Sequence, residues 1–339
     1  MFARVADAIV RTCRGRHRAA KPPASRVGSP DRGPAAPIYH RRVLNAETTS
    51  VGGREPVLSR VPSPALVLGA IGSIQFGAAL ATTLFAQLGP GGAVTERLVT
   101  ATLVLLVIWR PRVRNRSLKD LLLAGLFGVI LGAMNLTFYE ALHRIPLGIA
   151  VTLEMVGPLT VAVAGSRRAR DLAWVALAGL GVLALTHGSS HGLNTLGIVF
   201  ALCAGSLWGI YIVVNGRVGR RFTGGTGLAL AMVPAALVTL PFGIAQAGTR
   251  LISGHALAVG TAVGLLSSAI PYTLEMESLR RIAAPVFGIL MSLEPAVAAL
   301  AGFVVLGQGL GARALAGMAL VVSASIGCSR GSRQQAVAV

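Results

Sequence analysis

The sequence predicts an all-α integral membrane protein in which ten transmembrane helices form two inverted five-helix repeats. Three observations predict it: apolar runs of spanning length, a one-sided distribution of Lys and Arg, and a repeat within the chain. The 339 residues are 53% hydrophobic and 13% charged, with a mean hydropathy of +0.69. Soluble domains carry about 25% charged residues, whereas a membrane span needs about 20 apolar residues in succession.

Residues 1–62 stand apart from the rest, being rich in Arg, Pro, Ala and Gly without sustained apolar periodicity. Such a composition cannot bury enough surface to fold. It also lacks the apolar h-region of a secretory signal. The segment reads as a disordered Arg/Pro-rich cytoplasmic tail, with a start site placed too far upstream as the other explanation. Spans follow at 65–86, 93–109, 118–139, 147–165 and 172–187, then at 195–214, 227–247, 256–274, 285–306 and 311–328. Residues 63–188 thus form a first repeat (helices 1–5), 193–328 a second (helices 6–10), and 329–339 a short cytoplasmic C-terminal tail.

Charge orients these spans, because short cytoplasmic loops collect Lys and Arg. With the N-terminus inside, the inner side holds 12 such residues in the tail, 5 in WRPRVRNRSLKD (residues 109–120), 3 in SRRAR, 3 in NGRVGRR, Arg280 with Arg281, and 2 near the C-terminus. The outer side holds Arg144, Arg250 and Arg313, and Arg97 falls within a span. Both termini are therefore expected in the cytoplasm. The net charge of +19 is then explained by the anionic cytoplasmic leaflet, and no nucleic acid is needed.

The repeat is visible in EALHRI (140–145) and ESLRRI (277–282), which share Glu, Leu, Arg and Ile at an offset of 137 residues. The same offset carries Pro158 onto Pro295 and Ala164-Gly165 onto Ala301-Gly302. At an offset of 138, Ala178-Gly179 meets Ala316-Gly317. Five spans per half is an odd number, so the second half enters the membrane in the opposite sense. Inverted repeats of this kind are an architecture of secondary transporters, with the substrate near the midplane between the halves.

Several blocks carry a resemblance: SIQFGAALATTLF, GAMNLTFYEALHRIPLGIAVTLEMVGPLTVAV, SLWGIYI, IPYTLEMESLRRI and FGILMSLEPAVAALAGFVVLG. Together they resemble the ten-span drug/metabolite transporter superfamily with paired EamA domains. Within it they are similar to the branch that exports threonine and homoserine from the bacterial inner (cytoplasmic) membrane. The resemblance covers about residues 62–328 and implies efflux of small amino acids driven by the proton gradient.

The chemistry available within the spans is sparse. No G-x4-G-K-[ST] motif is present, so the chain has no P-loop for ATP. A proton gradient needs a titratable group in the membrane. Glu154 lies about seven residues, or about 11 Å, into the fourth span, and an unpaired carboxylate there costs about 2.5–3.5 kcal/mol. Arg97 in the second span is its available counter-charge, giving either a structural pair or a proton and substrate site. The other polar candidates are Gln75 in the first span, Asn135 and Tyr139 in the third, Trp208 and Tyr211 in the sixth, and Tyr272 and Glu275 in the eighth. Asn and Gln in spans also serve as interhelical hydrogen bonds, and Trp and Tyr as interface anchors. Glu294, before Pro295, supports a broken helix as well as substrate handling. Glu96, Glu140 and Glu277 fall near span ends and read as solvated.

Cys13, Cys203 and Cys328 are widely spaced and read as packing residues. His187 and His191 fall in HGSSH, a loop composition, so no metal site is expected. Without a nucleophile–base pair, metal-ligand set or cofactor motif, a membrane enzyme is disfavoured, and the intramembrane charges speak against a scaffold. A small zwitterion fits best, since Glu154 answers its ammonium and Arg97, Asn135 and Gln75 its carboxylate. The alternative is multidrug or other metabolite efflux by the same fold. Against that stand an aromatic content of 5% and a first span with Gln75 in place of an acid. Protons and the lipid bilayer complete the expected partners, and the sequence leaves homodimerisation open.

Overall fold

Lipid offers no hydrogen-bond partners, so an apolar segment must satisfy its backbone internally, and a helix does so. The computed structural model describes residues 61–114, 116–164, 169–186, 193–222, 225–279, 287 and 290–336, and among them all regular structure is helical. The helices are α1 (Ser63–Thr82), α2 (Phe85–Trp109), α3 (Leu118–Leu142), α4 (Leu147–Glu154), α5 (Val156–Ala164) and α6 (Ala169–Thr186). They continue with α7 (Thr195–Arg221), α8 (Thr226–Ala247), α9 (Gly254–Gly264), α10 (Ile270–Leu279), α11 (Glu294–Leu306) and α12 (Ala312–Ala336). A 3-10 turn at Gly248–Ile252 follows α8, and a π-helical turn at Leu265–Ala269 joins α9 to α10.

Among the described residues five helices are long and apolar enough to cross a membrane: α1, α2, α3, α7, and α8 continued to Ile252. Five further apolar stretches are shorter, among them Leu147–Val161 and Glu294–Leu306. Leu103, Val107, Leu122 and Phe303 are each more than 60% exposed, an outward apolar surface that suits lipid. The expected tail, the His187/His191 pair and Arg280–Arg281 lie outside the described residues.

The observed helices differ from the sequence expectation where backbone chemistry intervenes. The second span starts at Phe85, because α2 continues through Gly89-Pro90. Gly89 takes φ 68°, ψ 170°, a conformation that glycine reaches without steric cost. Gln246 Oε1 of α8 accepts from the Gly91 amide at 2.7 Å just beyond this kink. The fourth span is interrupted at Met155, and the last helix runs on to Ala336.

Packing follows small residues and hydroxyls. Helix α3 lies against both α7 and α8, and α2 against α8. Gly128 and Gly132 of α3 sit on the Ala231 and Ala235 carbonyls of α8, where a Cβ would collide. Thr95 and Thr102 of α2 each bond back within their own helix and across to α8, at Thr239 O (2.9 Å) and Met232 O (3.0 Å). Helices α9 and α10 pack on α1, with α9 also on α2; α4 and α5 pack on α7; α11 on α1 and α4; and α12 on α6.

Polar contacts gather at the two ends of α3. At its start Ser117 caps the helix through the Asp120 amide at 3.2 Å, Asp120 pairs with Arg221 of α7 at 3.0 Å, and Arg116 lies over the Phe222 ring. At its other end Glu140 pairs with Arg144 and accepts from Gln246 Nε2 at 3.3 Å, while Arg144 covers Phe200. Between Asp120 and Glu140 the helix rises about 30 Å, the thickness of a hydrocarbon core.

Candidate functional site

Two helix breaks position the acidic residues. Proline lacks an N–H, so Pro158 cannot bond the Glu154 carbonyl four residues earlier, and Pro295 cannot bond that of Met291. The chain turns at Met155 in one case and at Ser292-Leu293 in the other. Glu154 ends α4, and Glu294 opens α11 with Pro295 beside it in the first turn. A helix N-terminus carries free N–H groups and a positive dipole end, a favourable place for a carboxylate.

Helix α7 is shaped to admit the first break. A Cβ at Gly205 would lie 2.5 Å from the Glu154 carbonyl oxygen, and one at Gly209 3.2 Å from Val161. The backbones of α4, α5 and α7 therefore touch where Glu154 leaves the helix. On the other side, Ser73 of α1 donates to Leu266 O at 2.6 Å in the π-helical turn. That turn precedes α10, which carries Glu275 and Tyr272.

The centre of the site is a buried pair. Gln75 Nε2 of α1 donates to Glu294 Oε1 of α11 at 2.9 Å, with the two residues 2% and 7% exposed. Gln75 Oε1 and Glu294 Oε2 are buried and have no hydrogen-bond partner among the described residues. Glu294 lies within electrostatic reach of both Glu154 and Glu275.

Arg97 faces α3 on the side of α2 away from its two threonine anchors. Its Nη1 donates to Tyr139 Oη at 3.4 Å and its guanidinium lies over that ring, 5.6 Å from the centroid. Arg97 Nε is buried without a partner among the described residues. No ion pair joins Arg97 to Glu154 there, although Glu154 remains within the field of Arg97. The sequence thus brings Gln75, Glu154, Glu275 and Glu294 into one electrostatic neighbourhood, with Arg97 and Tyr139 at its edge.

Other candidates stand elsewhere or serve packing. Asn135 is buried and donates to Leu131 O of its own helix at 2.8 Å. Tyr211 stacks on Phe127 at 4.8 Å, tying α7 to α3. Trp208 is partly buried on α7, and the Tyr272 side chain lies outside the described set. Glu96, expected near a span end, is 8% exposed in the interior of α2 beside Gly260 of α9. The expected second span begins at 93, whereas α2 begins at Phe85 and carries Glu96 in its interior.

Residues 195–330 match the EamA-like transporter family. The threonine/homoserine exporter RhtA of Escherichia coli K12 is 42% identical over 274 residues, which cover 80% of this chain and 92% of RhtA. RhtA of Salmonella typhimurium LT2 is 41% identical over the same lengths. The chain belongs to the EamA-like transporter family. A solved crystal structure 17% identical superposes on 80% of this chain and 98% of its own length with a TM-score of 0.55, a likeness of fold. As an EamA-like transporter with long apolar helices, the protein is a multi-pass membrane protein, and its relatives are transporters, not enzymes.

Proposed function

We propose that this EamA-like transporter exports small amino acids of the threonine and homoserine type across a bacterial cytoplasmic membrane by proton antiport. The observation that carries the reading is the carboxylate Glu294, bonded to Gln75 and acting electrostatically on Glu154 and Glu275, in a chain that aligns with 92% of RhtA. Carboxylates in lipid are costly and mark ion or substrate paths. The matching cation, Arg97, gives the site both signs that a zwitterion requires.

The proposed architecture is ten spans in two inverted repeats, α1–α6 and α7–α12, with α4–α5 and α9–α10 each forming one crossing. Exchanging the two sets turns the α3–α7 contact into α9–α10 with α1, the α3–α8 contact into α9–α10 with α2, and α4–α5 on α7 into α11 on α1. The contacts α2–α8, α4–α11 and α6–α12 map onto themselves. Each of these pairs is packed in the structure, which supports the repeat. The polar contacts support the alternation, since residues 116–120 meet Arg221 and Phe222, while Gln308 accepts from the Leu147 amide at 3.0 Å. Each joins ends that ten crossings put on one side.

The test is counterflow in proteoliposomes across the twenty amino acids plus homoserine. Exchange is expected for threonine and homoserine, with uptake driven by an imposed pH gradient. Exchange of lipophilic cations with no amino-acid exchange would replace this reading with drug efflux.

A further inference from the structure

Resting on the amino-acid reading, we infer that the Gln75–Glu294 pair is the subsite for the substrate's ammonium and that Arg97 Nε receives its carboxylate. The argument comes from which atoms lack partners. Gln75 uses its amide nitrogen on Glu294 Oε1 at 2.9 Å, which turns the amide oxygen and the second carboxylate oxygen into the free valences of the pair. Both are acceptors, both are buried, and neither meets a donor among the described residues. Leaving a buried polar atom unsatisfied forfeits its hydration without return, so such atoms mark where a partner is missing.

A ligand that fills both oxygens is a donor with at least two hydrogens in different directions. An ammonium has three donors and no acceptor, and it carries the charge that Glu294 lacks as a partner. A carboxylate or a ketone brings acceptors alone and fits neither oxygen. A proton on Glu294 Oε2 is the other filling, since a carboxylic acid and a primary amide can close a two-bond ring.

Arg97 presents the complementary deficit. Its Nη1 reaches the Tyr139 hydroxyl at 3.4 Å, whereas its buried Nε has no acceptor among the described residues. Glu154 feels both Glu294 and Arg97. An acceptor-only deficit and a donor-only deficit, both acting on the same carboxylate, match the two ends of an amino acid, with the ammonium toward α1 and α11 and the carboxylate toward α2 and α3. This orientation differs from the sequence expectation, in which Glu154 answers the ammonium and Gln75 the carboxylate.

The experiment is competition against labelled threonine exchange in proteoliposomes holding the full chain. The probes are 3-hydroxybutyrate, which is threonine without its ammonium, and threoninol, which lacks the carboxylate. In the unaltered protein both should compete about tenfold to a hundredfold more weakly than threonine, the value of one charge-assisted hydrogen-bonded group. In Gln75→Leu, threonine and threoninol should weaken together while 3-hydroxybutyrate is unchanged. In Arg97→Met, threonine and 3-hydroxybutyrate should weaken while threoninol is unchanged. Should Gln75→Leu fail to fold, Glu294→Gln is read in the same way. Equal weakening of all three probes in the Gln75 or Glu294 variant would overturn the inference and leave that pair holding a proton only. If another amino acid exchanges in place of threonine, the export reading changes while its deaminated and decarboxylated analogues still test the pair. If no amino acid exchanges, both fall.

Discussion

Glu154 is the residue whose role most depends on titration. It closes α4 next to a proline-freed carbonyl, with its backbone pressed against Gly205 and its carboxylate in the fields of Glu294 and Arg97. Replacing it by Gln keeps the shape and the space at the break, so Glu154→Gln is expected to reach normal folded yield. It removes the proton that a gradient would move, so uptake against an imposed pH gradient should vanish. Coupling that survives unchanged would leave Glu154 a structural residue. At this scale the sequence was only partly informative. It exposed the residue types and the two prolines, because a charge in an apolar run and a missing N–H are local facts. It could not direct Arg97 to Tyr139, 42 residues away, because that contact depends on how α2 and α3 are rotated about their axes.

At the scale of elements, the break in the fourth span depends on close backbone approach. Gly205 and Gly209 stand one turn apart on α7 and face Glu154, Gly157 and Val161, the small-residue packing that lipid favours. Gly205→Ala places a methyl 2.5 Å from the Glu154 carbonyl oxygen, so α4 or α7 must move. A cost of about 1–3 kcal/mol is expected from overpacking. The comparison is Gly179→Ala on α6, where nothing lies within 4 Å of the added carbon and a neutral or slightly stabilising change is expected. Detergent melting curves of both variants check this, and equal curves would mean that α7 does not hold the break. The spacing of the helices was largely legible, since α3, α7 and α8 begin where the apolar runs begin. The second span was not, because Gly-Pro ordinarily ends a helix. Here Gln246 from α8 satisfies the Gly91 amide beyond the kink, a tertiary bond no local rule contains.

For the whole molecule, the question is whether the twelve helices among the described residues belong to ten crossings. Helix α11 alone, at 13 residues, rises about 20 Å, short of the roughly 30 Å core. In the proposed inverted repeat α11 stands where α4–α5 stands in the first half, so its crossing is the one to test. The contacts described above put residues 109–120 and Arg221 at one end of the helices, and Arg144 and Gln246 at the other. The count of crossings thus becomes a statement about three arginines that are all exposed: Arg112, Arg250 and Arg313. With Cys13, Cys203 and Cys328 replaced by Ser, Arg112→Cys should react with a membrane-impermeant thiol reagent only after cells are opened. Arg250→Cys and Arg313→Cys should react in intact cells. Arg313 is the decisive position, because it follows the short α11. If Arg313→Cys labels only in opened cells while Arg250→Cys labels in intact ones, α11 does not complete a crossing. The ten-span inverted repeat would then give way to an odd number of spans with the C-terminus outside.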